Sequence, residues 1–90
     1  MKVNGEEWVS YAKKAGQQMI DRLNALDLSV FTEELRRAST EKKVRRIFRE
    51  LKRRGVLDDD VYAYIRKDAA VIRDYVLAYI YDVGRRKLIF

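Results

Sequence analysis

The chain contains no cysteine and no histidine. The first absence excludes disulfides, thiolate metal sites and cysteine nucleophiles. The second excludes imidazole general bases and imidazole metal ligation. With no proline and no low-complexity segment, nothing divides the sequence into separate domains. No glycine-rich phosphate loop is present, and the acidic triplet Asp58, Asp59, Asp60 has the wrong spacing for a calcium loop. Ser10, Ser29 and Ser39 have no histidine to activate them. No apolar run approaches the ~18 residues of a membrane span, and the opening "MKVNGEEW" lacks the apolar stretch of a secretory signal. These absences point to a non-catalytic, cytoplasmic protein, without metal or cofactor and without a membrane partner.

What is present is charge, unevenly placed. Ninety residues with 48% apolar and 38% charged side chains suit one globular domain with a modest core. The net charge is +6, yet from Arg36 to Arg54 ten Lys or Arg face only Glu41 and Glu50. That segment alone carries +8, so the remainder sums to −2. A cationic patch of this kind is the electrostatic footprint of a polyanion-binding surface. The highly charged, cysteine-free composition also suits a thermophilic source.

Apolar periodicity predicts a mainly α fold: a compact helical domain of four helices. Trp8, Ala12, Ala15, Met19, Leu23 and Leu26 recur at helical spacing, so residues 1–27 are expected to hold a first long helix, capped by Asn4. Gly16 within it suggests a bend or a close neighbour. Leu28, Val30 and Phe31 read as a short extended stretch, followed by a small helix "EELRRA" capped by Thr32. Ser39 or Thr40 caps the next helix, which stops at Gly55 with Val56 and Leu57 folding back against it. On a wheel of 100° per residue, Val44, Ile47, Phe48 and Leu51 gather on one side of this helix. Lys42, Arg45, Arg46, Arg49, Lys52 and Arg53 gather on another, with no acid inside their arc. A merely solvated helix usually mixes signs, so the segregation favours an anionic partner.

After the acidic triplet, Val61, Ile65, Ala69, Ile72, Val76, Tyr79 and Val83 form one stripe of a long helix over 58–84, ended by Gly84. The opening "VYAYI" also has strand propensity, which leaves a short β-wing open at this point. A second stripe, Ala63, Ala70, Leu77 and Tyr81, makes the helix apolar on two sides. Such a helix must be sandwiched, so these residues, with Leu88, Ile89 and Phe90 of the tail over 85–90, are expected to form a homo-oligomer interface.

The segment "MIDRLNALDLSVFTEELRRASTEKKVRRIFRELKRRGVL" resembles the winged helix-turn-helix family of DNA-binding domains. It has that family's order of an apolar helix, a short extended stretch, a small helix with "EEL" and a longer helix ending in "LKRRGVL". The resemblance covers about residues 19–57 and makes 28–57 the helix-turn-helix-like basic region. It implies that the second helix enters the DNA major groove, presenting Lys42, Lys43, Arg45, Arg46 and Arg49. Lys52, Arg53, Arg36 and Arg37 extend the expected nucleic-acid-binding set. The function so implied is that of a small transcription regulator on double-stranded DNA. Two alternatives stand beside it. One is a packaging protein that coats nucleic-acid backbone as an oligomer, in the manner of a nucleocapsid, which would be virion-associated. The other is a module whose basic helix docks an acidic protein.

Overall fold

Asn24 decides where the first helix gives way to the second. Its backbone is extended, its side-chain oxygen accepts from the Asp27 amide at 2.7 Å, and its side-chain nitrogen donates to the Asp27 carboxylate at 3.1 Å. A helix capped in this way starts at the next residue. The computed structural model describes residues 5–87, with the side chains of 7–84. Its elements are α1 (Gly5–Arg22), α2 (Ala25–Arg37), α3 (Glu41–Arg53), α4 (Asp59–Ile65) and α5 (Ala69–Lys87), with one 3-10 turn at Arg66–Asp68 between the last two.

The mainly helical class holds, and four helical segments are present if α4 and α5 count as one interrupted helix. Among the described residues there is no strand, so the β-wing is absent: residues 59–65 are helix. The expected extended stretch at Val30 and Phe31 is also helix, in the middle of α2. Thr32 therefore caps nothing; it sits inside α2 and its hydroxyl donates to the Ser29 carbonyl at 2.9 Å. Leu26 leaves the predicted α1 stripe because α1 has already ended, and it is 73% exposed at the start of α2. Gly84 does not stop α5, which continues to Lys87. The expected cap Asn4 and the tail residues Leu88, Ile89 and Phe90 lie outside the described residues.

Much of the core is built where the remaining periodicity placed it, but Trp8, Leu23, Ile47, Tyr79 and Val83 of the expected stripes are only half-buried, and Tyr62 and Ile80, outside those stripes, are buried. Met19, Leu35, Val44, Phe48, Leu51, Leu57, Val61, Ile65, Ile72 and Val76 are fully buried in one cluster. Helix α5 runs through the centre of the fold, lying against α1, α2 and α3. It lies close to α1 at Gly16, where a Cβ would stand 2.7 Å from Cδ2 of Tyr79, so glycine here admits the Tyr79 ring. The hydroxyl of that ring donates to the Gln17 side chain at 2.6 Å.

Helix α3 is delimited at both ends by backbone chemistry. The Thr40 side chain accepts from the Lys43 amide, which caps its start. At its end Gly55 takes φ +77°, the Val56 amide donates to the Leu51 carbonyl at 2.9 Å, and the Gly55 amide donates to the Lys52 carbonyl at 3.0 Å. This pair of bonds is the Schellman motif, and its hydrophobic contact is supplied by the buried Val56 and Leu51.

Three polar clamps tie the helices together. The Glu41 carboxylate of α3 accepts from the Ala69 amide at 2.7 Å and the Ala70 amide at 2.8 Å, closing the N-terminus of α5. Arg73 of α5 donates through Nη1 to the Leu35 carbonyl at 2.7 Å and the Ala38 carbonyl at 2.8 Å, closing the C-terminus of α2. Each therefore supplies a neighbouring helix with partners its own backbone cannot provide. In the third clamp, Asp58 meets Arg22 at 2.8 Å, and Gln18 binds both the Asp58 carboxylate and its amide. Arg22 and Gln18 hold the Asp58 carboxyl below its usual range, the Arg22 hydrogen bond being the main cause.

Candidate nucleic-acid interface

Helices α2 and α3 are joined by the three-residue turn Ala38, Ser39, Thr40. Ala38 is buried, Leu35 and Phe31 pin α2 to the core, and Val44, Phe48 and Leu51 pin α3. With that side of α3 buried, its other side must face outward. Lys42, Lys43, Arg46, Arg49 and Arg53 are exposed, while Arg45 and Lys52 are half-exposed at its flank. Arg36 and Arg37 are exposed at the end of α2. All nine candidate cations thus belong to one helix pair.

They do not form one uniform set. Glu33 holds Arg36 at 2.6 Å and Arg37 at 2.8 Å. Glu50 holds Arg53 and Arg54, both at 3.0 Å. Glu41 lies 3.6 Å from Arg45. The hydrogen bond from Arg36 is the main influence lowering the Glu33 carboxyl below its ordinary range, and the same bond raises Arg36. No acid occupies the basic arc itself, yet Glu41 and Glu50 at its borders reach into it through i,i+3 and i,i+4 pairs. The expectation of a purely cationic face is corrected to that extent.

What remains is a smaller group. The side chains of Lys42, Lys43, Arg46 and Arg49 have no ion pair, hydrogen bond or aromatic contact among the described residues. Lys42, Arg46 and Arg49 project within about 60° of one another, directly away from Val44. Beside them, Lys43, Arg46 and Arg37, with one acid, Glu34, rim a shallow hollow of about 350 Å³ floored by Ala38 and Ile47. The arrangement suits phosphate oxygens, which accept charge-assisted hydrogen bonds from Lys and Arg without needing a deep pocket.

Two cations escaped the sequence reading. Arg66 and Lys67 occupy the 3-10 turn, beside the flank of α3 that carries Lys52. Lys52 and Arg66 lie over the same buried Tyr62 ring, 5.6 and 5.9 Å from its centroid. Lys67 lies over Tyr64 at 5.2 Å. The signal available was the basic pair in "YIRKDAA", a polar interruption of an apolar helix.

The expected oligomer residues divide as well. Ala63 is exposed and Tyr81 is 69% exposed, but Ala70 and Leu77 are half-buried against the chain's own core. Leu77, Ile80 and Tyr81 line a hollow of about 300 Å³ together with Thr32, Glu33 and Arg36 of α2. Val71 and Tyr75, both partly exposed, give α5 an outward apolar surface of different membership.

Among the described residues no cluster of three or more metal-ligating side chains occurs. No described helix is long and apolar enough to cross a membrane. Comparison with protein-family models, with curated protein sequences and with solved structures returns no match to this chain.

Proposed function

We propose that this protein is a non-catalytic nucleic-acid-binding domain that engages double-stranded DNA through the outer face of α3, as a small regulator of transcription. The observation that carries the reading is the group Lys42, Lys43, Arg46 and Arg49, exposed and without internal carboxylate partners on a helix whose opposite face is buried. Holding like charges together on one helix face is unfavourable by ~0.2–0.5 kcal/mol per i,i+4 pair. An external polyanion relieves that cost and gains by releasing its counterions. The helix-turn-helix resemblance supports the same surface, with α3 in the position of the groove-entering helix.

The absence of a wing among the described residues gives some weight to the packaging reading, in which α3 neutralises backbone without reading bases. Self-association through the outer surface of α5 belongs to both readings, because it would set two α3 helices at a fixed spacing. Light scattering of the free and DNA-bound protein tests that part.

The main test is fluorescence anisotropy with a labelled specific duplex, a random duplex and a single strand, each at two salt concentrations. Lys42→Ala, Arg46→Ala and Arg49→Ala combined should leave the helical circular dichroism intact. The triple change should weaken duplex binding and reduce the magnitude of the salt slope by ~0.9 for each phosphate no longer neutralised. Unchanged affinity at low salt would eliminate α3 as the binding surface.

A further inference from the structure

The cations over Tyr62 lie on the opposite flank of α3 from the hollow lined by Lys43 and Arg46. Lys52 and Arg66 approach one aromatic ring that is only 7% exposed, at 5.6 and 5.9 Å. Lys67 is the next residue and lies over Tyr64. Tyr64 is in turn stacked on Tyr11, with centroids 4.0 Å apart and planes 9° from parallel. Cation–π contacts hold the three cations in place. None of the three has a carboxylate within ion-pair distance among the described residues. Nearby acids are Glu7, which accepts from the far end of Tyr64 at 3.3 Å, Asp68, which follows Lys67 in the turn, and Glu41 of α3, whose carboxylate is taken up by the Ala69 and Ala70 amides. Like charges positioned by aromatic rings and left without a counter-ion form a place for an external anion.

The placement of this group says which anion. An α-helix is roughly 10–12 Å across and the DNA major groove is about 12 Å wide, so a helix lodged there has a phosphate backbone on each side. Cations without a carboxylate partner stand on both flanks of α3: Lys43 and Arg46 toward α2, and Lys52 with Arg66 of the adjoining 3-10 turn toward α4, whereas Lys67 lies over Tyr64 on the side of α4 that meets α1. A single-stranded partner, or a flat acidic protein surface, would have no need of the second flank. We infer that Arg66, with Lys52, forms a second phosphodiester-binding element that contacts the DNA strand opposite to the one met by Lys43 and Arg46.

This inference rests on the reading of α3 as the DNA-binding helix, and the test separates the two. Two double variants are compared by anisotropy across a salt series: Lys52→Gln with Arg66→Gln, and Lys43→Gln with Arg46→Gln. On duplex DNA each pair should reduce the magnitude of the salt slope by roughly 1.8, about 0.9 per phosphate neutralised. On a single strand of the same sequence only the Lys43/Arg46 pair should change the slope, because one backbone reaches one flank. Arg66→Gln alone is the guard against loss of fold, with an expected change of about 0.9 and a melting curve matching the wild type. If the Lys52/Arg66 variant keeps the wild-type duplex slope while the Lys43/Arg46 variant loses it, the second element does not exist although α3 still binds DNA. If neither variant changes the slope, the reading of α3 itself fails. Equal losses on duplex and single strand overturn the assignment to the opposite strand. Binding of polyglutamate as tightly as duplex at matched salt overturns the choice of nucleic acid as partner.

Discussion

Removing the Glu41 side chain should make the protein less stable and a better binder at once. Its carboxylate closes two amides at the start of α5, at 2.7 and 2.8 Å, and lies 3.6 Å from Arg45. Hydrogen bonds to a charged group contribute about 1.5–3 kcal/mol, and loss of a helix cap typically costs about 1 kcal/mol. Glu41 is partly exposed, with 36% of its side chain accessible, so water recovers some of the loss. A net cost of ~2 kcal/mol is therefore expected for Glu41→Ala, and for a domain of this size it lowers Tm by roughly 8–16 °C. Glu41→Gln retains one acceptor oxygen and should fall between the alanine variant and the wild type. Binding should move in the other direction. The change deletes an acid bordering the cationic face and frees Arg45, so the duplex affinity should rise and the salt slope should steepen by up to ~0.9. Scanning calorimetry and anisotropy at low temperature, where the variant remains folded, measure the two effects separately. A Tm indistinguishable from wild type would refute the capping role. Weaker DNA binding by the folded variant would refute the placement of Glu41 as a restraint on the basic face.

Phe48→Ala removes a fully buried ring at the centre of the core and should cost ~3–5 kcal/mol, visible as a large loss of Tm by circular dichroism. Gly16→Ala places a Cβ 2.7 Å from Tyr79, so thermal stability should fall despite alanine's better helix propensity, and adding Tyr79→Leu should recover it. The Asp58 carboxyl is depressed in the folded state, chiefly by Arg22. Its stabilising contribution is therefore present above the unfolded carboxyl's range and lost as pH falls through the folded value. Urea midpoints measured from neutral pH down into the acid range should show Asp58→Asn with a shallower acid decline than wild type, and identical declines would contradict the clamp.

The parts that were legible in the sequence are those governed by local chemistry. Thr40 and Gly55 bracket α3, and the separation of Val44, Phe48 and Leu51 from the cations follows from the helical period of about 3.6 residues. Helix α2 was harder. Val30 and Phe31 have strand-like side chains, but Phe31 is buried under tertiary packing and carries Arg54 over its ring at 5.2 Å, so packing overrides propensity. Gly84 read as a stop, yet helix continues through it; one glycine costs only ~1 kcal/mol against alanine. The candidate cations do share one helix pair, but fewer of them are free than the wheel suggested. A wheel treats each residue as a point, whereas arginine is long enough to reach Glu33 or Glu50 a turn away. The placement of Arg66 and Lys67 was invisible for the opposite reason: only the tertiary fold brings the 3-10 turn beside Lys52.

The reciprocal clamps also impose an order on biosynthesis. Arg73 lies 35 and 38 residues downstream of the α2 carbonyls it closes, and the Ala69 and Ala70 amides lie 28 and 29 residues downstream of the Glu41 carboxylate that receives them, so both clamps wait for the start of α5. While translation proceeds, a nascent chain that has released α3 but not α5 lacks the α5 part of the cover over Val44, Phe48 and Leu51, although α2 is already available to α3. Proteolysis of ribosome-stalled chains should therefore find α3 cleavable until residues beyond Val76 have left the exit tunnel, and protected afterwards. The basic helix is made early and becomes a fixed surface late, only once the last helix has docked.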